Sequence, residues 1–422
     1  MMKALISKSE VLGKVTAPSS KSYTIRALFC TALANGKSEI IAPLASDDTI
    51  AAINVLKKVG VNIRKQKTSW KVDGGTFHAP TSDLFCGDSA ATLRFMTAFG
   101  ALIPGVCHLT AGQSLSRRPV KTLIDALQML GVKCSSNGDF PPVMVEGGKF
   151  RGGITSLPGN ISSQYVSALL HIAPLATEGM TINLSTPLES RPYVMMTLDT
   201  MESFGIAVAF DGHLDAFEIL PQKYKPTKYK VEGDWSSASY LLALGALAGE
   251  VTVDNLDMES LQGDRMLVRF LQEMGAPVTT GRNSIIVCQS KLKAIKADLT
   301  DCIDLLPTLA VLAVTAEGTS EFTGVARARI KESDRVAAVK EGLQRMGIRV
   351  RDDANRVSIT GGKPIGTIID SRGDHRIAMA FSLLGTVVGN TIIDRAECVT
   401  KTYPEFWDVF NNLGGKVEID GK

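Results

Sequence analysis

Three short stretches put hydroxyl, cationic and acidic side chains close enough together to act on an anion: PSSKSYTIRAL at 18–28, RARIKESDRVAAV at 327–339 and SRGDHRIAM at 371–379. In the first, Ser19, Ser20 and Ser22 are helix-capping residue types and Lys21 adds a point charge. That set serves equally as a plain cap or as a phosphate cradle. It is not a Walker A loop, because the glycine spacing before Lys-Ser is missing. In the second, Lys331 and Arg335 stand four residues apart, which on a helix places them on one face with Glu332 and Asp334 interleaved. Such a face either stabilises an exposed helix or keeps an acid beside cations, ready for proton transfer. Asp304, in DCIDLLP, reads first as a helix cap and second as a catalytic carboxylate. His375 has no companion His or Cys cluster, so a structural hydrogen bond is expected there and a metal is not. No Ser-His-Asp pattern or reactive-cysteine motif is legible.

Cations recur where helices are expected to begin: Lys21 and Arg26, Arg94, Arg118, Arg191, Lys331 and Arg335, Arg376, and Lys401. A helix start already carries positive potential, so a cation there is mildly unfavourable unless an anion compensates both. Any one of them alone reads as a solvated surface group. Their recurrence at equivalent places favours binding of phosphate or carboxylate.

The elements that would position these residues form a repeat. Gly36, Gly105, Gly179, Gly249, Gly318 and Gly389 are spaced by 69, 74, 70, 69 and 71 residues. Each follows an Ala- and Leu-rich run, at 22–34, 90–102, 163–176, 236–248, 305–316 and 375–388, whose composition predicts a helix buried on most sides. A short strand follows each glycine. More amphipathic helices are predicted at 49–59, 119–130, 194–204, 266–274, 336–346 and 405–413, each ending at a glycine: Gly60, Gly131, Gly205, Gly275, Gly347 or Gly414. Adjacent strands with tight turns complete each module, which predicts an α/β (mixed α+β) fold of mixed sheets covered by helices. Six modules divide as three plus three. The boundary falls in PQKYKPTKYKVEG at 221–233, which reads as a linker, giving one domain at 14–232 and another from 1–13 with 233–422.

With 422 residues, 45% of them hydrophobic, and a net charge of +3, the chain can bury large cores but lacks the charge of a nucleic-acid or membrane binder. Seven scattered cysteines suggest reduced thiols and hence cytoplasm, and the opening MMKALISKSEVLG lacks the apolar stretch of a signal peptide. No apolar run reaches a membrane-spanning length.

The segments PSSKSYTIRAL, LFCGDSAATLRFM, SRRPV, GNISSQYVSALL, LESRPYV, VEGDWSSASYLL, IDLLP, IKESDR, GDHRIAM and KTYPEFW, in that order over nearly the whole chain, resemble the EPSP synthase family of enolpyruvyl transferases. The resemblance implies transfer of the enolpyruvyl group of phosphoenolpyruvate to the 5-hydroxyl of shikimate 3-phosphate, with release of phosphate, in aromatic amino-acid biosynthesis. It implies two inverse α/β-barrel-like domains, each of three βαβαββ-type units, that close over the substrates. The N-terminal domain would take the shikimate 3-phosphate side and the C-terminal domain the phosphoenolpyruvate side. Lys21, Ser22, Arg26, Ser162, Ser163, Gln164, Ser190, Asp304 and Lys331 would contact shikimate 3-phosphate. Lys21, Arg118, Gln164, Arg335, Arg376 and Lys401 would hold phosphoenolpyruvate. Asp304, Glu332 and Lys21 would handle protons, with no metal or organic cofactor and a monomer as the working form. In GDSAATLR the chain departs from the family's common Gly-Asn-x-Gly-Thr. There Asp88 must bond amides or point away, and the Ala90 methyl is expected to weaken inhibition by glyphosate. The related UDP-N-acetylglucosamine enolpyruvyl transferases carry a reactive cysteine before their Arg-Pro element, whereas AGQSLSRRPV has none. A non-catalytic anion-binding repeat protein would explain the cations but not Asp304 together with Glu332.

Overall fold

The computed structural model describes residues 2–421. Its strands form six four-stranded sheets of one design. In one, Gly153–Leu157 runs parallel to Met180–Leu184, which pairs antiparallel with Ala216–Ile219, itself antiparallel to Ala209–Phe210. A buried helix, Ser163–Ile172, lies between the first and second strands, and a second helix, Arg191–Ser203, between the second and third. The βαβαββ unit is therefore present. Each sheet stays open, and none closes into a barrel.

The six early helices are Lys21–Leu33, Ala90–Phe99, Ser163–Ile172, Trp235–Ala248, Leu306–Thr315 and His375–Val388. They form because they are enclosed: in Trp235–Ala248 every residue but Ser236 is buried. Full burial of one Leu contributes about 1.5–3 kcal/mol, several times the propensity difference of about 0.7 kcal/mol or less between ordinary residues at one position. None of the six has an acidic residue in its first turn.

The six second helices stop by one mechanism. After Asp47–Lys58, the Gly60 N–H donates to the Lys57 carbonyl and the Val61 N–H to that of Leu56. Closing this pair of bonds requires positive φ at the glycine, here +107°.

The chain exchanges a strand between its halves. Val11–Thr16, which precedes the first buried helix, pairs with Gly249–Asp254. Lys228–Lys230, which precedes the fourth, pairs with Gly36–Ile41. The expected linker at 221–233 is thus partly a strand. The chain divides into two compact units, Ser19–Val231 and, separately, residues up to Pro18 with Glu232 onward. The division falls at Ser19 and not at 14, because residues through Thr16 are held in the sheet of Gly249–Asp254. Each unit has its own hydrophobic core.

Candidate active site

In the unit containing Glu232 onward, the three buried helices pack against one another, and side chains at their starts meet. Asp304 lies in the short turn Ile303–Leu305 that leads into Leu306–Thr315. The cap of that helix is Leu305, so Asp304 is not the cap. Its carboxylate faces three cations instead: Arg335 Nη1 at 2.7 Å, Arg376 Nη2 at 3.2 Å and Lys331 Nζ at 3.5 Å. Arg376 also donates to the Tyr240 hydroxyl at 3.4 Å.

Arg335 is the hub. Only 1% of its side chain is exposed, and besides Asp304 it donates to Glu332 at 2.8 Å and, through Nε and Nη2, to Asp374 at 2.8 and 3.2 Å. Lys401 stands 3.7 Å from the other Glu332 oxygen. Four cations thus enclose three carboxylates. The expected shared helical face of Lys331 and Arg335 is absent. Lys331 is extended, at φ −88° and ψ −151°, and the helix begins only at Arg335. The physical reason is Asp334, whose side chain accepts the Ala337 N–H and so fixes the helix start there.

Electrostatics follow from this enclosure. Burial pushes the Asp304 carboxyl up, but Arg376, Lys331 and Arg335 together outweigh it and hold the group well below the usual carboxylate range. Burial lowers Lys331 to about 8, with Asp304 opposing. Burial also disfavours the Arg335 charge, but Asp374, Glu332 and Asp304 more than compensate. Close by in electrostatic terms, Asp264 is raised to about 7, first by burial and then by Asp304. One Asp264 oxygen accepts the Ser236 hydroxyl, and the other has no hydrogen-bond partner.

In the Ser19–Val231 unit, Ser20 caps Lys21–Leu33 and leaves Lys21 as its first residue. Lys21 Nζ lies 3.0 Å from the buried Asp48 carboxylate. Arg26 is buried and bonds the Thr197 hydroxyl at 2.8 Å and the carbonyls of Ser22 and Tyr193 at 3.0 and 2.7 Å. Ser162 caps Ser163–Ile172. Arg94 gathers that segment: it donates to Gln164 Oε1 at 2.6 Å, to the Ser162 hydroxyl at 3.4 Å and to the Pro119 carbonyl at 3.3 Å. The Tyr165 hydroxyl donates to the same carbonyl at 2.5 Å. Arg94 therefore ties Ser162 and Gln164 to the carbonyl of Pro119, the residue that follows Arg118. Ser190, buried at the start of Arg191–Ser203, holds a left-handed φ of 55°, a strained conformation that a non-glycine residue adopts where surroundings impose it.

The sequence offered Arg94 only as one of the recurring cations, and it gave no site role to Asp48, Asp374, Tyr240 or Asp264. For Asp374 a signal existed: it stands next to His375 and Arg376 and has the residue type of a cap, which it is. Asp48 sits in an ordinary acidic helix start, which nothing distinguishes from simple capping. His375 is buried beside Asp374, its Nδ1 3.7 Å from the carboxylate. Among the described residues no His, Cys, Asp and Glu group could hold a metal, and no helix is long and apolar enough to cross a membrane.

Residues 6–410 match the profile of EPSP synthase (3-phosphoshikimate 1-carboxyvinyltransferase). The chain belongs to the EPSP synthase family. A 3-phosphoshikimate 1-carboxyvinyltransferase of Dehalococcoides mccartyi is 52% identical, covering 99% of this chain and 100% of that one. The enzyme of that name from Methanothermobacter thermautotrophicus is 40% identical over 96% and 97% of the two chains. Among solved structures, EPSP synthase from Acinetobacter baumannii superposes with a TM-score of 0.83 at 26% identity over 100% of both chains.

Proposed function

We infer that this member of the family transfers the enolpyruvyl group of phosphoenolpyruvate to the 5-hydroxyl of shikimate 3-phosphate and releases phosphate. The observation that carries the reading is a pair of carboxylates, Asp304 and Glu332, each held by cations able to receive the anionic groups of the substrate. Arg335 and Arg376 present planar forks suited to carboxylate and phosphate oxygens, and Lys401 adds a mobile charge.

An Asp held far below its ordinary range is a poor base. Once phosphoenolpyruvate draws Arg335 and Arg376 toward its own oxygens, Asp304 loses the attraction that kept it ionised, and its basicity rises as the 5-hydroxyl arrives. The hydroxyl oxygen then attacks C2 while its proton passes to Asp304, and the methylene C3 takes a proton from Glu332, which enters this step as the neutral acid once the substrate has drawn Arg335 away and leaves it as the carboxylate. In the second step C3 returns its proton to Glu332, the C2–O bond to phosphate breaks, and the departing phosphate, stabilised by the cations, takes the hydroxyl proton held by Asp304. Lys21 assists this proton traffic. Ser22, Arg26, Ser162, Ser163, Gln164, Ser190 and Lys331 are assigned to shikimate 3-phosphate, and Arg118 to phosphoenolpyruvate with Lys21 and Gln164. Seven free cysteines are consistent with the reducing cytoplasm, where the enzyme is proposed to act as a monomer.

Phosphate release from phosphoenolpyruvate should require shikimate 3-phosphate and should not occur with UDP-N-acetylglucosamine. Asp304→Ala should cut kcat by about 10²–10⁴-fold with little change in ligand affinity. A folded parent enzyme without turnover on shikimate 3-phosphate would defeat the reading.

A further inference from the structure

The segment GDSAATLR at 87–94 lies against the turn that carries Arg118. The Gly112 N–H donates to the Gly87 carbonyl at 2.7 Å, and the Leu115 N–H donates to Asp88 Oδ1 at 2.9 Å. From these two anchored residues the turn continues through Ser116 N–H to the Gly112 carbonyl at 2.9 Å and Arg118 N–H to the Leu115 carbonyl at 3.0 Å. On the far side, Pro119 is fixed by Arg94 and Tyr165. Arg118 is therefore gripped from both flanks.

Gly112 is shaped to this arrangement. A Cβ there would lie 2.6 Å from Asp88 Oδ1 and 2.8 Å from its carboxyl carbon, while the φ of Gly112 lies outside the left-handed region that favours glycine. What forbids a side chain at 112 is the Asp88 carboxylate itself. An alanine would push that carboxylate off the Leu115 N–H, so the two positions form one latch.

We propose that Asp88 is a positioning residue which, seated against Gly112, sets the turn that presents Arg118 to the anionic groups of phosphoenolpyruvate. The proposal rests on the assignment of Arg118 to that substrate. It gives the acidic residue at 88 a role in holding the backbone, in place of a contact with the ligand that its charge would oppose.

The test is a double-mutant cycle in the full-length enzyme, using Asp88→Ala, Gly112→Ala and both together, with Asp88→Asn as the conservative variant. Asp88→Ala should raise KM for phosphoenolpyruvate about 10-fold, the scale of one lost charge-assisted hydrogen bond, with kcat and KM for shikimate 3-phosphate changed less than about 3-fold. Gly112→Ala should do the same. The double variant should be no worse than Asp88→Ala, since the colliding group is gone. Asp88→Asn keeps an acceptor oxygen for Leu115 and should stay within about 3-fold of the parent. Multiplying effects in the double variant, an unmoved KM for phosphoenolpyruvate in Asp88→Ala, or equal damage from Asn and Ala at 88 would overturn the latch. Should Asp88→Ala fail to fold, the Gly112→Ala and Asp88→Asn pair decides: a raised KM in the former with parent-like behaviour in the latter is expected, and the reverse refutes the proposal. Arg118→Ala separates the two readings. If it leaves KM for phosphoenolpyruvate unchanged, the Arg118 assignment fails, while the latch is still judged by the same non-additivity in Tm.

Discussion

Lys331 is the residue whose chemistry is most exposed to pH. Burial has brought its ammonium to about 8, so the free enzyme loses this charge in mildly alkaline solution. The value of kcat/KM for shikimate 3-phosphate, which reports the free enzyme, should fall above pH 8. Lys331→Arg keeps its charge and should move that fall upward by more than 2 pH units, to about pH 10 or beyond. Asp264 shows the opposite sign in stability. Its folded carboxyl is raised to about 7 from an ordinary 3.8, so its contribution is fully present below about 3.8 and is lost as pH rises through 7. Asp264→Asn cannot ionise. Melting curves should therefore show it level with the parent near pH 4 and more stable by a constant margin above pH 7. A margin independent of pH would mean that the Asp264 proton is not coupled to folding.

At the scale of elements, the repeat visible in the sequence is a repeat of chain reversals. Gly60, Gly131, Gly205, Gly275, Gly347 and Gly414 all have positive φ just past a helix, because the same pair of carbonyls must be satisfied six times. The cost of replacing one depends on its surroundings. Gly131 has φ +77° and nothing within 4 Å of an added Cβ, so Gly131→Ala should cost only the backbone term, about 1–2 kcal/mol by denaturant unfolding. The segment at 331–334 shows where periodicity misleads. A spacing of four suggested one helical face, but an Asp followed by RVAAV is also a helix start, and the cap bond of Asp334 decided the matter.

For the whole molecule, the exchanged strands make the two units unequal. Ser19–Val231 contains every strand of its three sheets. Residues from Glu232 onward lack Val11–Thr16 and also Lys3–Ser7, which stands inside its sheet with antiparallel partners on both sides, Thr391–Asp394 and Lys416–Asp420. Expressed alone, 19–231 should unfold cooperatively, whereas 232–422 should not, as followed by circular dichroism in denaturant. Addition of residues 1–18 should restore cooperativity to the second fragment.

The sequence by itself determined the module count, the burial of the six early helices and the cations Lys21 and Arg376 at the starts of two of them, because apolar periodicity, glycine spacing and residue type are local properties of a chain. It also supplied the ordered motifs that place the chain in its family. Only the tertiary structure decided that Arg335 is shared by Asp304, Glu332 and Asp374, that Arg94 binds Gln164 to Pro119, and that Asp88 turns toward Leu115. Those partners lie from three to 70 residues apart. Which cation meets which carboxylate depends on how separate modules pack, and no local pattern encodes that.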